Sequence, residues 1–271
     1  MNLPEDFYTR AISAIFLLSV VLFSIIKGGM FFTIFLILVS SVIFFEWMRM
    51  ASKSFWILRG VISTLGLGAI LSFSDFGSLS LLVFFLTFLF ICIISELTNS
   101  SYKLSSFGFI YITIAVTAIE WLRGFEQGLA FLIILLTSIM VSDTSAYLVG
   151  NWLGGPKLFK QISPNKTLSG FVAAITFGTF WFYLASSFLI GYYNLKFFFV
   201  GILIVISSIL GDLFISFLKR KAGIKDTGFL IPGHGGVLDR ADSILSVFFL
   251  IPFLLIVFGL FESPTLIVPG W

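Results

Sequence analysis

Charged residues are scarce in this sequence, at 11% of 271 residues, against roughly a quarter in soluble domains. Hydrophobic residues reach 59%, more apolar surface than a water-soluble fold could bury. The single cysteine, Cys92, excludes an intrachain disulfide framework and a thiolate metal cluster within one chain. These shortages leave a membrane protein as the expected class.

What is abundant is long apolar runs, rich in the 36 phenylalanines. A helix needs about 20 residues to cross a hydrocarbon core, and about nine runs approach that length. We therefore predict an all-α, polytopic transmembrane bundle whose first span is not cleaved. The predicted spans are residues 11–27, 30–48, 56–73, 78–95, 107–122, 128–149, 169–191, 196–217 and 241–261.

Lysine and arginine concentrate on one side of this predicted topology. Only Lys27, Arg123 and Lys196 of the 16 basic residues fall in loops on the other side. Because basic loops face the cytoplasm, the N-terminus is predicted to be cytoplasmic and the C-terminus external. The two longest loops, 150–168 and 218–240, would then also be cytoplasmic.

These loops suggest a division of the chain into two regions. Residues 1–127 would form about five N-terminal spans, and residues 128–271 a catalytic region of about four spans with a cytoplasmic-side cavity. The predicted location is a membrane, with both long loops on its cytoplasmic side.

Two aspartates fall inside predicted spans, where a carboxylate is costly unless it is paired, hydrated or bound to a metal. They are Asp143 in the sixth span and Asp212 in the eighth. The spacing of Asp212, Ser216, Lys219 and Arg220 places all four on one helical face. A carboxylate that leads to two cations suits a metal-bound polyphosphate, although hydrogen bonding between helices and interfacial anchoring are simpler explanations.

The segment KDTGFLIPGHGGVLDRAD is too rich in glycine and proline to be helical and predicts a structured loop. Such a backbone can approach phosphate oxygens and donate several N–H groups to them. Asp239 and Asp242 follow at the start of the ninth span, where their spacing and Arg240 suggest a Mg²⁺ site beside phosphate. Helix capping could explain one of these aspartates without a metal.

The earlier loop, NWLGGPKLFKQISPNKTLSG, supplies Lys157, Lys160 and Lys166. Lysines among glycines and hydroxyl groups suit phosphate and ribose binding. The bias towards basic residues in cytoplasmic loops would also explain them.

Two segments together resemble a known family. SFLKRKAGIKDTGFLIPGHGGVLDRAD, from Ser216 to Asp242, resembles the signature of the phosphatidate cytidylyltransferases, or CDP-diacylglycerol synthases. DTSAYLVGNWLGGPKLFKQISPNKT, from Asp143 to Thr167, resembles that family's other recurrent segment.

This resemblance implies a nucleotidyltransferase that forms CDP-diacylglycerol and pyrophosphate from CTP and phosphatidate. The expected partners are these substrates and membrane lipids, with a homodimer as a further possibility and no nucleic acid. Mg²⁺ is the expected cofactor, together with a possible second cation such as K⁺.

The resemblance also assigns roles to individual residues. The expected catalytic residues are Asp212, Asp239, Asp242, Lys219 and His234. The expected metal ligands are Asp212, Asp239, Asp242 and Asp143. The expected binding residues, for the phosphates of CTP, pyrophosphate or the lipid, are Lys166, Ser216, Arg220, Lys225, Asp226, Gly235, Gly236 and Arg240, of which Asp226 is also a possible cation ligand.

The sequence departs from the family pattern at three positions. Ile215 stands where a glutamate is expected, Ser169 where an acidic or amide residue is common, and Asn151 where a basic residue is expected. Any role of that glutamate cannot be carried over to this chain.

Two other functions remain open at this point. A CTP-dependent lipid kinase of the polyprenol type could use the same basic, glycine-rich loop but would transfer the γ-phosphate to an alcohol. A cation transporter with Asp143 and Asp212 at its centre would leave that loop unexplained, and the sequence has no evident internal repeat.

Overall fold

The computed structural model describes residues 19–74, 77–159, 161–190, 193, 195–228 and 235–258. Across these ranges the chain forms nine helical segments and one two-stranded sheet. The helices are α1 (residues 19–27), α2 (Gly29–Ala51), α3 (Trp56–Ser72), α4 (Gly77–Leu97), α5 (Tyr102–Arg123), α6 (Gly128–Leu153), α7 (Leu168–Ile190), α8 (Leu195–Lys221) and α9 (Leu238–Phe258).

Apolar runs become helices because a helix satisfies its own backbone hydrogen bonds where no water is present. Six of the described helices, α2 and α4 to α8, are long and apolar enough to cross a membrane, and α3 is shorter at 17 residues. The predicted helical membrane protein is therefore confirmed. The nine described segments follow the order of the nine predicted spans, but the number that cross the membrane stays a prediction.

A small β-hairpin interrupts the helical pattern, and the all-α prediction did not anticipate it. Strands β1 (Lys157–Phe159) and β2 (Ser163–Thr167) pair antiparallel, with Lys157 opposite Thr167 and Phe159 opposite Ser163. Gly154 and Gly155 adopt positive φ angles of 62° and 105° just after α6. Only glycine enters such conformations freely, so this pair ends the helix and turns the chain into β1.

One compact unit comprises residues up to Glu120 together with residues 221–241. Within it α2 packs on α3 and α3 on α4. The fully buried Trp47 of α2 donates its indole N–H to the carbonyl of Leu104 at 2.8 Å. Gly108 allows this close approach, since a Cβ there would lie 1.9 Å from the indole nitrogen.

A second compact unit comprises residues 121–220 and those from Asp242 onward. Its α6 and α7 pack closely through small residues. A Cβ on Gly170 would lie 2.6 Å from the carbonyl oxygen of Ala146, and one on Gly178 would lie 2.9 Å from the Cβ of Ser142. The division of the chain at residue 127 stays a prediction.

Many large apolar side chains remain exposed on these helices. Leu97, Trp152 and Phe188 are 78%, 84% and 86% exposed. Such exposure would be unfavourable in water and is expected of side chains in contact with lipid.

Candidate active site

A cavity of about 380 Å³ opens in the second unit, where α6, α7, α8 and the hairpin meet. Asp143 of α6, Lys166 of β2 and Asp212 of α8 all line it. Ala174 and Ile209 supply part of its apolar wall. The structure thus brings together three of the residues that the sequence singled out, from three separate elements.

Lys166 and Asp212 form an ion pair at the centre of this group. The Nζ atom of Lys166 lies 2.5 Å from Oδ2 of Asp212, with the two side chains 28% and 36% exposed. Ser216, one turn along α8, donates its hydroxyl to Oδ1 of Asp212 at 3.3 Å. The pair therefore remains within reach of an incoming anion or cation.

Two further carboxylates interact with this pair. Asp143 is repelled electrostatically by Asp212 and attracted by Lys166. Asp242, in the first turns of α9 and 7% exposed, interacts with Asp212, Lys219 and Asp143. The backbone N–H of Ser243 also donates to Oδ1 of Asp242 at 2.7 Å.

The resulting cluster contains three carboxylates and two lysines. Repulsion among the three carboxylates would be relieved by a cation, and their oxygens are the hard donors that Mg²⁺ prefers. The lysines suit phosphate oxygens. Within the described part of the chain, no three Asp, Glu, His or Cys residues already stand in an arrangement that could hold a metal ion. The donor atoms thus fit Mg²⁺, while in this structure Asp212 pairs with Lys166.

The wall of the cavity depends on glycine and threonine. Thr167, at the end of β2, accepts a hydrogen bond from the N–H of Gly170 through its Oγ1 at 3.2 Å. A Cβ on Gly150 would lie 2.9 Å from the same Oγ1. This packing joins the end of the hairpin to α6 and α7 and so fixes the strand that carries Lys166.

Asp239 belongs to the first unit and is held by backbone amides. Its Oδ2 accepts N–H groups from Thr227 at 2.8 Å and from Gly236 at 3.0 Å. Gly235 has a φ of 85°, and a Cβ there would lie 3.2 Å from this carboxylate. Asp239 thus joins Thr227 and Gly236 to the start of α9, with a carboxylate that accepts backbone N–H groups as a capping residue does.

Glu46, in the first unit, is a buried acid that the sequence analysis did not single out. This buried side chain of α2 contacts both sides of the glycine-rich segment, including Thr227 and Leu238. Arg49, one turn later, donates to the carbonyl of Thr227. The criterion applied to Asp143 and Asp212, an acid inside an apolar run, would have identified Glu46 as well.

The other predicted site residues are less informative. Four of them are exposed, as residues that contact a ligand would be: Arg220, Lys225, Asp226 and Arg240. His234 lies outside the described residues.

The structure shows the surroundings of the three residues that depart from the family pattern. Ile215 is fully buried in α8, away from solvent. Ser169 donates its hydroxyl to the carbonyl of Gly154, while Asn151 lines the cavity.

Comparison with known sequences gives one consistent result. The sequence profile of the cytidylyltransferase family matches residues 8–261. The phosphatidate cytidylyltransferase of Bacillus subtilis is 33% identical over 273 residues, which cover 95% of this chain and 99% of that protein. Those of Staphylococcus saprophyticus and Brucella melitensis are 32% and 33% identical over 257 and 250 residues, covering 91% and 89% of this chain and 98% and 90% of the relatives.

Proposed function

Because the chain belongs to the cytidylyltransferase family, we propose that it is a membrane nucleotidyltransferase that converts CTP and phosphatidate into CDP-diacylglycerol and pyrophosphate. The family match supports the reaction, and the cavity supports its location in the second unit. We assign the reaction to this cavity because Lys166 and Asp212 form an ion pair there. Asp143 and Asp242 both interact electrostatically with Asp212.

The reaction joins two anions. An oxygen of the phosphatidate phosphate forms a bond with the α-phosphorus of CTP, and the bond from that phosphorus to the bridging oxygen of the β-phosphate breaks. The attacking oxygen is already ionised at neutral pH, so alignment and charge neutralisation dominate the barrier. This need matches a site built from ion pairs rather than from a proton relay.

The lysines of the cluster would neutralise phosphate charge. Lys166 and Lys219 are proposed to bind CTP phosphates, with Ser216 orienting Asp212. Further phosphate contacts are proposed for the side chains of Arg220, Lys225, Arg240 and His234 and for the amides of Gly235 and Gly236. Asp226 lies next to Lys225 in the sequence.

The carboxylates would hold the cation. Asp143, Asp212 and Asp242 are the proposed Mg²⁺ ligands, and a second cation such as K⁺ is compatible with their charge. Bound Mg²⁺ supplies charge stabilisation on the transferring phosphate. A ligand role for Asp239 stays a prediction, because its Oδ2 already accepts two backbone N–H groups.

We also propose the inner membrane of a bacterium as the location, with the cavity opening to the cytoplasm, where CTP is found. Support comes from the bacterial relatives and from the basic residues of loops 150–168 and 218–240. A homodimer remains a proposal without structural support.

The decisive experiment uses purified protein, phosphatidate, Mg²⁺ and CTP labelled in separate reactions at the α- or γ-phosphate. The proposal expects chloroform-soluble label from α-labelled CTP only, with pyrophosphate as co-product. Transfer of γ-label to lipid would instead indicate a lipid kinase. Asp212→Asn, purified in the same way, controls for contaminating enzymes, because its rate of product formation should fall by ~100-fold or more.

A further inference from the structure

The carboxylate of Glu46 in α2 contacts residues that precede and follow positions 229–234 of the glycine-rich segment. Oε2 accepts the hydroxyl of Thr227 at 2.9 Å and the N–H of Leu238 at 2.8 Å. Oε1 accepts the N–H of Val237 at 3.1 Å. A single side chain therefore connects residues on either side of positions 229–234.

Two glycines beside Glu46 leave room for its carboxylate. A Cβ on Gly228 would lie 2.1 Å from Oε1 of Glu46, and a Cβ on Gly236 would lie 2.6 Å from Oε2. Both glycines therefore provide space for the glutamate. Glu46 is 4% exposed, so water cannot replace these contacts in the folded protein.

Two of the three donors belong to the start of α9. The first N–H groups of a helix have no partner within the helix, and a negative charge there is favourable. Glu46 thus caps α9 from a distant part of the sequence. Asp239 follows Leu238 directly, and Asp242 stands four residues after Leu238 in the same helix.

We propose that Glu46 is a positioning residue of the cytidylyltransferase reaction, which holds residues 227–228, residues 236–237 and the first turn of α9 in one arrangement. It would not touch the substrates. Its effect would pass through the helix that carries Asp242 and through the amides that flank the segment. The proposal rests on the function proposed above but adds a residue outside both segments that resemble the family.

The main test compares Glu46→Gln with Glu96→Gln. Glutamine keeps the shape and one acceptor, but its NH₂ group must face at least one backbone N–H, either that of Val237 or that of Leu238. We expect the rate to fall by ~10-fold or more. Glu96 is exposed near the end of α4, so its glutamine variant should keep the wild-type rate.

A second pair of variants tests the same contact with less risk to folding. Thr227→Ser keeps the hydroxyl that donates to Glu46, whereas Thr227→Val removes it with little change in shape. We expect the serine variant to be near wild type and the valine variant to lose about fivefold in rate. In the double variant Glu46→Gln/Thr227→Val, the losses should not multiply, because both changes break one network.

Trypsin provides a measure that does not depend on activity. Arg240 lies in the first turn of α9, where the helical backbone resists cleavage unless the helix start opens. In detergent-purified protein, Glu46→Gln should be cleaved after Arg240 several times faster than wild type, whereas Glu96→Gln should not.

The outcomes separate the two proposals. An active wild type with unchanged rate and unchanged Arg240 cleavage in Glu46→Gln and Thr227→Val would overturn the positioning role alone. A wild type that makes no CDP-lipid would overturn the proposed function, while faster cleavage in Glu46→Gln would still support control of the segment by Glu46. An equal loss of activity in Thr227→Ser and Thr227→Val would also contradict the hydrogen-bond argument.

Discussion

Replacement of Asp212 by asparagine separates a catalytic role of the Lys166–Asp212 pair from a structural one. The two side chains are 28% and 36% exposed, so solvent screens their attraction. Such a pair contributes about 1 kcal/mol or less to the free energy of unfolding. If stability were its only role, Asp212→Asn would change activity by about fivefold at most.

A carboxylate that holds a cation against a transferring phosphate has a larger effect. Loss of one such charge should lower the rate by ~100-fold or more, which corresponds to about 2.7 kcal/mol of transition-state stabilisation. The Mg²⁺ concentration required for half-maximal activity should also rise. Initial rates of CDP-lipid formation over a Mg²⁺ series, with a thermal melt of each preparation, measure both effects.

Glu126→Gln is the matched control, since Glu126 is an exposed acid in the loop before α6. It should retain wild-type rates and Mg²⁺ dependence. A rate for Asp212→Asn within about fivefold of wild type, with unchanged Mg²⁺ dependence, would falsify the assignment of Asp212 to the cation site.

Three other predictions follow from the structure. Lys166→Met should raise the KM for CTP by ~10-fold or more and Lys166→Arg by less, in rate measurements over a CTP series, because only arginine keeps the charge; equal KM values for both variants would contradict phosphate binding. Gly170→Ala should destabilise the protein by about 1–3 kcal/mol in a thermal melt, because its Cβ would lie 2.6 Å from the carbonyl of Ala146, whereas Gly68→Ala, whose nearest neighbour is 3.9 Å away, should not. In a Cys92→Ser background, Lys157→Cys should react with an impermeant maleimide only in inside-out vesicles and Lys196→Cys only in intact cells; the reverse pattern would invert the topology.

The sequence predicted the helices and the cluster carboxylates because their signals are strong. An apolar run of about 20 residues has few alternatives to a helix, and an acid inside such a run requires a reason. Asp143 and Asp212 were identified in this way, and the structure places both at one cavity. The size of the run and the rarity of the charge made these predictions possible.

Other features depended on contacts that a sequence pattern does not show. The strands Lys157–Phe159 and Ser163–Thr167 are only three and five residues long, too short to show the alternation that identifies a strand. The spacing of Asp239 and Asp242 suggested a shared role, yet Asp239 accepts backbone amides while Asp242 interacts with Asp212. Glu46 met the criterion of an acid inside an apolar run, but its partners lie 181 to 192 residues further along the chain, so the sequence could not show what it binds.

That separation has a consequence for biosynthesis. The Oε1 contact of Glu46 joins positions 191 residues apart, and a ribosome needs about 10 to 40 s to add that many residues. Throughout this interval the residues of α2 have been synthesised, while the residues whose N–H groups will donate to the carboxylate of Glu46 have not. Until α9 is made, the carboxyl of Glu46 must therefore be protonated, hydrated at the membrane surface or paired with a temporary partner.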